Sequence, residues 1–369
     1  MTGFGVFVHV PFCSALCPYC DFAVVVGRAD VHARYCDALV AEAAAHRAVP
    51  VASSLFIGGG TPTAIDADLL SETIGRLRAF VALSDDAEIT VEANPESVTE
   101  IGMRALARAG VNRVSIGAQS FSPDVLRALG RTHSAEQISK AVHAARAAVI
   151  ANISLDLIYG TPGETTEEWT TTLERALVEA PNHISAYALT IEAATPFGKA
   201  VAKGAMQEPD QDDLAAKYEI ALRLLGKNGY DHYEISNWAR PGFESRHNML
   251  YWTQGEYVGL GIGAHSHRNG ARWWNTRALG HYLEDPTNAR DGVEKLTRFE
   301  QADEWLSLSM RLLRGLDLEM ASARLGRDVR SAAEACEASG LVSVDGDHLT
   351  LTPRGMLLEN EVTLRLLSA

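Results

Sequence analysis

Three thiols fall within eight residues near the start of the chain, in Cys13-Ser-Ala-Leu-Cys17-Pro-Tyr-Cys20. Thiolates are the soft ligands that iron–sulfur clusters require, and one short loop can reach three corners of a cube. Three ligands leave a fourth iron open, and an open metal position is where chemistry takes place. The next positions, Asp21 and Phe22, carry no thiol, and Cys36 falls on the following helical stretch. A structural zinc site is the competing reading, with His9 or Cys36 as fourth ligand. Zinc sites usually pair two such knuckles, and the sequence holds no second one. Cys36 and Cys336 themselves read as small buried apolar residues.

Further chemistry-bearing residues recur where apolar runs end. Gly58-Gly59-Gly60-Thr61-Pro62 closes one run; glycines let a backbone approach a ligand and leave carbonyls free for an ammonium group. Glu92, in Val-Glu-Ala-Asn-Pro, closes another. A carboxylate there can accept both hydroxyls of a ribose, or serve as a plain helix cap. Gln119, Arg131 (in Gly-Arg-Thr-His) and Asp156 continue the series. Asp156 interrupts the apolar run Ile153–Ile158, and a buried carboxylate is costly without a partner. Arg131 or a bound ligand is the expected partner, and a purely structural Arg–Asp pair is the alternative.

Elements must carry these residues. Phe4–Val10, Ser54–Ile57, Glu88–Ala93, Val111–Gly117, Ile153–Tyr159 and His183–Thr190 read as strands. Helical stretches follow at Val31–Ala48, Asp68–Phe80, Thr99–Ala109, Pro123–Ala148, Thr166–Glu179 and Gln211–Gly226. Six β–α units in a row predict an α/β fold with a parallel sheet over residues 1–228. Closed, partly closed and doubly wound sheets all fit, and every candidate residue sits at the C-terminal strand ends that form the active face in each. Residues 229–296, rich in aromatics, His, Asn and Gly, read as an irregular capping segment. Residues 297–369 predict two helices, a hairpin turning at Asp345-Gly346 and a last helix, a small winged-helix-like domain.

The 369 residues carry 33 basic against 47 acidic side chains, a net charge of −14. Such a surface repels nucleic-acid phosphates and anionic lipid, so neither is an expected partner. No apolar run reaches the roughly 18 residues of a membrane span. The N-terminus lacks an export pattern, and clustered thiols in such a chain suit a reducing compartment, so a cytoplasmic protein is expected.

The cysteine spacing after a first strand resembles that of radical S-adenosylmethionine (SAM) proteins. Together with GGGTPT, VEANPE, SIGAQSF, GRTH and LDLIYGTPGET, it resembles the oxygen-independent coproporphyrinogen III oxidase family across almost the whole chain. That resemblance implies a part-barrel of about six β–α units with a small C-terminal helical module. It implies a [4Fe–4S] cluster on Cys13, Cys17 and Cys20, with SAM on the open iron as the source of a 5′-deoxyadenosyl radical. Gly59, Gly60, Thr61, Glu92, Gln119, Arg131 and Asp156 match SAM-pocket positions. Phe7 matches another, where many relatives carry tyrosine, so a hydroxyl contact is not carried over.

Three features select a branch. Cys13 lies nearly at the start, whereas decarboxylating members carry a longer leading segment. Phe22 stands where those members carry a further cysteine. His247-Asn248-Met249-Leu250-Tyr251-Trp252 matches the HNxxYW motif of the heme chaperone branch. The resemblance therefore implies a protein that binds heme and delivers it to apo-hemoproteins, with a homodimer left open, and leaves oxidative decarboxylation of coproporphyrinogen III as the alternative. Imidazole is a common heme ligand, which makes His247 the candidate axial residue. His265 and His267 are its rivals, and plain packing of the motif is the alternative.

Overall fold

The computed structural model describes residues 3–46 and 49–369; the last two residues of the expected Val31–Ala48 helix lie outside them. Six strands form the frame: β1 (Phe4–Val10), β2 (Ala52–Gly59), β3 (Leu83–Ala93), β4 (Arg113–Gln119), β5 (Asn152–Tyr159) and β6 (His183–Ala188). They pair in sequence order and in parallel, β1 beside β2 through to β6 beside β5. A doubly wound sheet must reverse its strand order, so this uninterrupted order defines a part-barrel. The strands are buried over most of their length, as parallel strands covered by crossover helices must be.

The covering helices are α1 (His32–Ala45), α2 (Ala67–Arg78), α3 (Glu100–Arg108), α4 (Pro123–Ala128), α5 (Ala135–Ala147), α6 (Thr166–Val178), α7 (Pro196–Ala202) and α8 (Gln211–Lys227). Caps set several starts: Asp66 accepts from the amides of Asp68 and Leu69, and Thr165 forms a capping box with Glu168. The helical stretch 123–148 is two helices, α4 and α5, parted at Gly130, whose φ of +66° turns the chain before Arg131.

Residues 229–296 correct the expectation of an irregular cap. They add β7 (Asp231–Glu234) and β8 (Asn237–Ala239) beyond β6, and β9 (Glu256–Leu260), β10 (His265–Arg268), β11 (Ala271–Asn275) and β12 (Arg290–Lys295) beyond β1. The result is one twelve-stranded sheet in the order β12-β11-β10-β9-β1-β2-β3-β4-β5-β6-β8-β7. Main-chain pairing with free sheet edges makes strands of segments too short and polar to alternate visibly. Helix α9 (Arg246–Trp252) crosses the floor of the part-barrel, its first amides donating to the Glu88 carboxylate at 3.2 Å.

The C-terminal domain has its own core, including Leu306, Leu318, Ala333, Leu349 and Val362. Helices α10 (Arg298–Ser309), α11 (Leu318–Leu325) and α12 (Arg330–Ala338) precede a hairpin of β14 (Val342–Asp345) and β15 (His348–Leu351), with Gly346 at φ +59° in the turn. A short β13 (Leu316–Asp317) completes the sheet in the order β13-β15-β14. This is winged-helix topology. Arg311 joins the domain to the barrel, donating to Glu234 at 3.3 Å and lying 4.4 Å over the Trp252 ring. Among the described residues no helix is long and apolar enough to cross a membrane.

Candidate functional site

The cysteine loop leaves β1 and is pinned at its base by Phe12 and Cys13 pairing in parallel with Val25 and Val26. Gly60 and Thr61 lie directly beneath, their amides donating to the carbonyls of Val10 and Phe12 at 2.8 Å. A Cβ on Gly60 would sit 2.8 Å from the Pro11 carbonyl, so only glycine lets the β2 turn pass under the loop. From there a hydrogen-bonded ring runs across the strand ends. Cys13 Sγ lies 3.5 Å from Thr61 Oγ1, and Asn94 Nδ2 donates to the same hydroxyl at 2.9 Å. Arg131 Nη2 donates to Asn94 Oδ1 at 2.5 Å, while its Nη1 reaches Cys17 Sγ at 3.7 Å.

This ring bounds a cavity of about 570 Å³ whose walls include Cys13, Cys17, Cys20, Gly59, Gly60, Thr61, Glu92, Gln119, Arg131 and Asp156. Of the residues singled out for cofactors, ten therefore meet in one place, and Phe7 and His247 do not. Phe7 packs below, between Phe56 (ring centroids 6.1 Å apart) and His9 (6.0 Å).

Several features of the cavity ask for a ligand. Burial pushes the Cys13 and Cys20 thiols up, so both favour protonation where no metal would hold them as thiolates. Arg131 Nε is buried without a partner. Glu92 accepts from the Gly59 amide at 2.8 Å, and burial raises its carboxyl to about 7. Gln119 adopts φ +60°, a left-handed conformation that costs on the order of 1 kcal/mol and clusters at ligand sites. Gly117 gives it room, since a Cβ there would meet Gln119 Nε2 at 2.8 Å. Three thiols lining one cavity are the soft donors that an iron–sulfur cluster takes. His9 Nε2 is engaged by the Ala23 carbonyl at 2.8 Å, and Cys36 is fully buried on α1.

Two expectations need correction. Asp156 does not pair with Arg131. It accepts instead from Ser115 at 2.8 Å, Ser185 at 2.7 Å and Ser154 at 3.2 Å, three hydroxyls that solvate a half-buried carboxylate without an ion pair. His247 does not reach the cavity. Its Nδ1 is 2.8 Å from Ser54 Oγ and its Nε2 2.8 Å from the Tyr251 hydroxyl, with the ring stacked on Phe56 at 5.1 Å. Burial, and then the Arg113 charge, lowers its pKa to about 3. With both nitrogens bonded under the floor helix, this imidazole has no lone pair free for iron. His267 is buried too, with Nδ1 3.1 Å from the Gly255 carbonyl.

Sequence reasoning passed over Asn94, which joins Thr61 to Arg131, although it lies within the quoted VEANPE. It also passed over Ser115, Ser185 and Tyr187, which line the cavity or hold Asp156. The period-two spacing of Ser154 and Asp156 on one strand face was the available signal for a polar interior.

Residues 7–176 match the Radical SAM superfamily, and residues 296–358 match the HemN C-terminal domain. The solved coproporphyrinogen III oxidase HemN of Escherichia coli superposes with a TM-score of 0.85 at 25% identity, covering 99% of this chain and 90% of that one. Fold and site together define a radical SAM protein. Curated relatives narrow the class. A heme chaperone HemW of Mycobacterium tuberculosis is 40% identical over 99% of this chain and 95% of its own length. One from Bacillus subtilis is 34% identical, covering 96% and 97%. The chain belongs to the HemW family.

Proposed function

We propose that this protein is a cytoplasmic heme chaperone that holds a [4Fe–4S] cluster on Cys13, Cys17 and Cys20, binds SAM beside it, binds heme, and hands the heme to apo-hemoproteins. The observation that carries the reading is the 40% identity to a heme chaperone along 99% of the chain, with the cradle's polar groups in place to receive the cofactors. Arg131 Nε, buried and unpaired, suits the SAM carboxylate, and the Gly59–Gly60 backbone suits its ammonium group. One Glu92 oxygen is engaged by the Gly59 amide, which leaves the other for ribose hydroxyls. When bound, the cluster supplies one-electron chemistry. Mixing the heme-loaded protein with an apo-hemoprotein tests the reading. Transfer of the Soret absorbance faster than spontaneous heme dissociation is expected, and transfer no faster than dissociation overturns it.

The second reading is oxidative decarboxylation of coproporphyrinogen III, favoured by the likeness to the Escherichia coli oxidase. Against it stands Phe22, 66% exposed in the cysteine loop, where the decarboxylating members carry a thiol.

A further inference from the structure

With His247 bonded at both nitrogens, and His267 buried with Nδ1 bonded to the Gly255 carbonyl and Nε2 enclosed without a partner, a heme-binding reading still needs an imidazole that a macrocycle can reach. His265 meets that need. It is exposed on β10, and among the described residues no hydrogen bond engages its ring. The Trp274 indole lies parallel to it on β11, centroids 5.7 Å apart at 26°. The register places them directly opposite each other, His265 against Trp274, so both side chains leave the same face of the sheet. Burial, and then the charges of Arg272 and Arg277, lowers the imidazole pKa, which favours the neutral form that ligates iron.

Arg277 completes the constellation. Its Nη2 donates to the Asp21 carbonyl at 2.8 Å, which ties the guanidinium to the cysteine loop at the cavity rim. Among the described residues it makes no ion pair, unlike Arg272, which is held by Glu294 and Glu304. Next to Asp21 in the loop, Phe22 projects a 66% exposed ring. A ligating nitrogen, an indole edge beside it, an apolar ring and an unpaired cation are what a dianionic metalloporphyrin recognises: iron, macrocycle and propionate.

We propose that heme docks at the rim of the cofactor cavity, with His265 as axial ligand, the Trp274 edge against the macrocycle and Arg277 on a propionate. The proposal rests on the reading that this chain binds heme, and it places the cargo beside the cluster pocket rather than on the floor motif.

Hemin titration of the full-length protein, followed by Soret absorbance, tests it. His265→Ala is expected to weaken binding by more than about tenfold and to remove the imidazole-ligated spectrum. His265→Cys should retain binding while shifting the Soret band, as a thiolate replaces the imidazole. Arg277→Glu should weaken binding about threefold to tenfold by placing like charge against the propionate. His247→Ala, in its folded fraction, should keep the wild-type spectrum. A wild-type spectrum in His265→Ala and His265→Cys, with loss in His247→Ala, would overturn this site and leave heme binding standing. Failure of the wild-type protein itself to bind hemin would overturn the heme reading on which the site rests.

Discussion

The floor and the mouth of the part-barrel use the same residue types to opposite ends. At the floor, His247 is bonded to Ser54 and Tyr251, and His183 to Ser154 and the Tyr233 hydroxyl, each at 2.8 Å. Helix α9 closes over them. At the mouth, Arg131 Nε is buried and unpaired, the Cys13 and Cys20 thiols are raised by burial, and His265 is exposed beside Trp274. Buried polar groups are normally satisfied, so a side chain that is satisfied is doing structural work and one left open is waiting for a ligand. Arg113 Nε and the Trp252 indole nitrogen are among the exceptions at the floor, buried without a hydrogen-bond partner. In its imidazole, the HNxxYW motif falls on the satisfied side. Its His247 bonds the β2 strand, and its Trp252 carries Arg311 of the C-terminal domain, so the motif fastens floor, sheet and domain together.

Substitutions on one side should leave the other intact. The largest effect is expected for Cys17→Ser, which should abolish the brown absorbance of a reconstituted cluster under anaerobic conditions, while Cys36→Ser retains it. Equal loss in both would overturn the ligand set. Next is His247→Ala, which removes two hydrogen bonds and opens a cavity. It should cost about 2–4 kcal/mol in urea unfolding yet leave the cluster absorbance of the folded fraction unchanged. A His247→Ala protein of wild-type stability that cannot load its cluster would place the motif at the mouth after all.

Acid should act on the floor as well. His247 has a folded pKa of about 3 against 6.5 for a free imidazole, and burial lowers His183 well below its ordinary value. The unfolded chain therefore takes up protons that the folded one refuses. Stability is fully present above about pH 6.5 and is lost as pH falls toward 3, by up to about 1.4 kcal/mol per pH unit per imidazole. Urea midpoints from pH 7 to pH 5 should show this fall, shallower in His247→Gln. An unchanged slope would remove His247 from the acid response. The smallest effect is expected for Asp156→Asn. Its three serine donors persist, and SAM affinity by calorimetry should drop only about threefold to tenfold. Complete loss of binding would give Asp156 a direct ionic role that its surroundings do not indicate.

Much of the fold was legible because parallel strands are continuous apolar runs and their helices have capped, periodic faces. Strand β5 and helix α6 fall within a residue or two of expectation. What escaped is what sequence periodicity does not carry. Strands β7 to β12 owe their form to the sheet edges they join, and their His, Trp and Asn content hid them. Helix α7 is only seven residues long. At the site, spacing gave the cysteines and the glycine turn, because loop ligands are local in sequence. The partner of Asp156 and the burial of His247 are long-range facts, set by serines on neighbouring strands and by a helix from the far end of the barrel.

The central claim, a chaperone rather than a decarboxylase, is tested most directly by an anaerobic incubation of the cluster-loaded protein with reductant, SAM and coproporphyrinogen III, read by mass spectrometry. With cluster loading confirmed by EPR in the same sample, the account predicts that no propionate is converted to vinyl. Vinyl products formed over successive turnovers would contradict it and make Phe22 compatible with the decarboxylation.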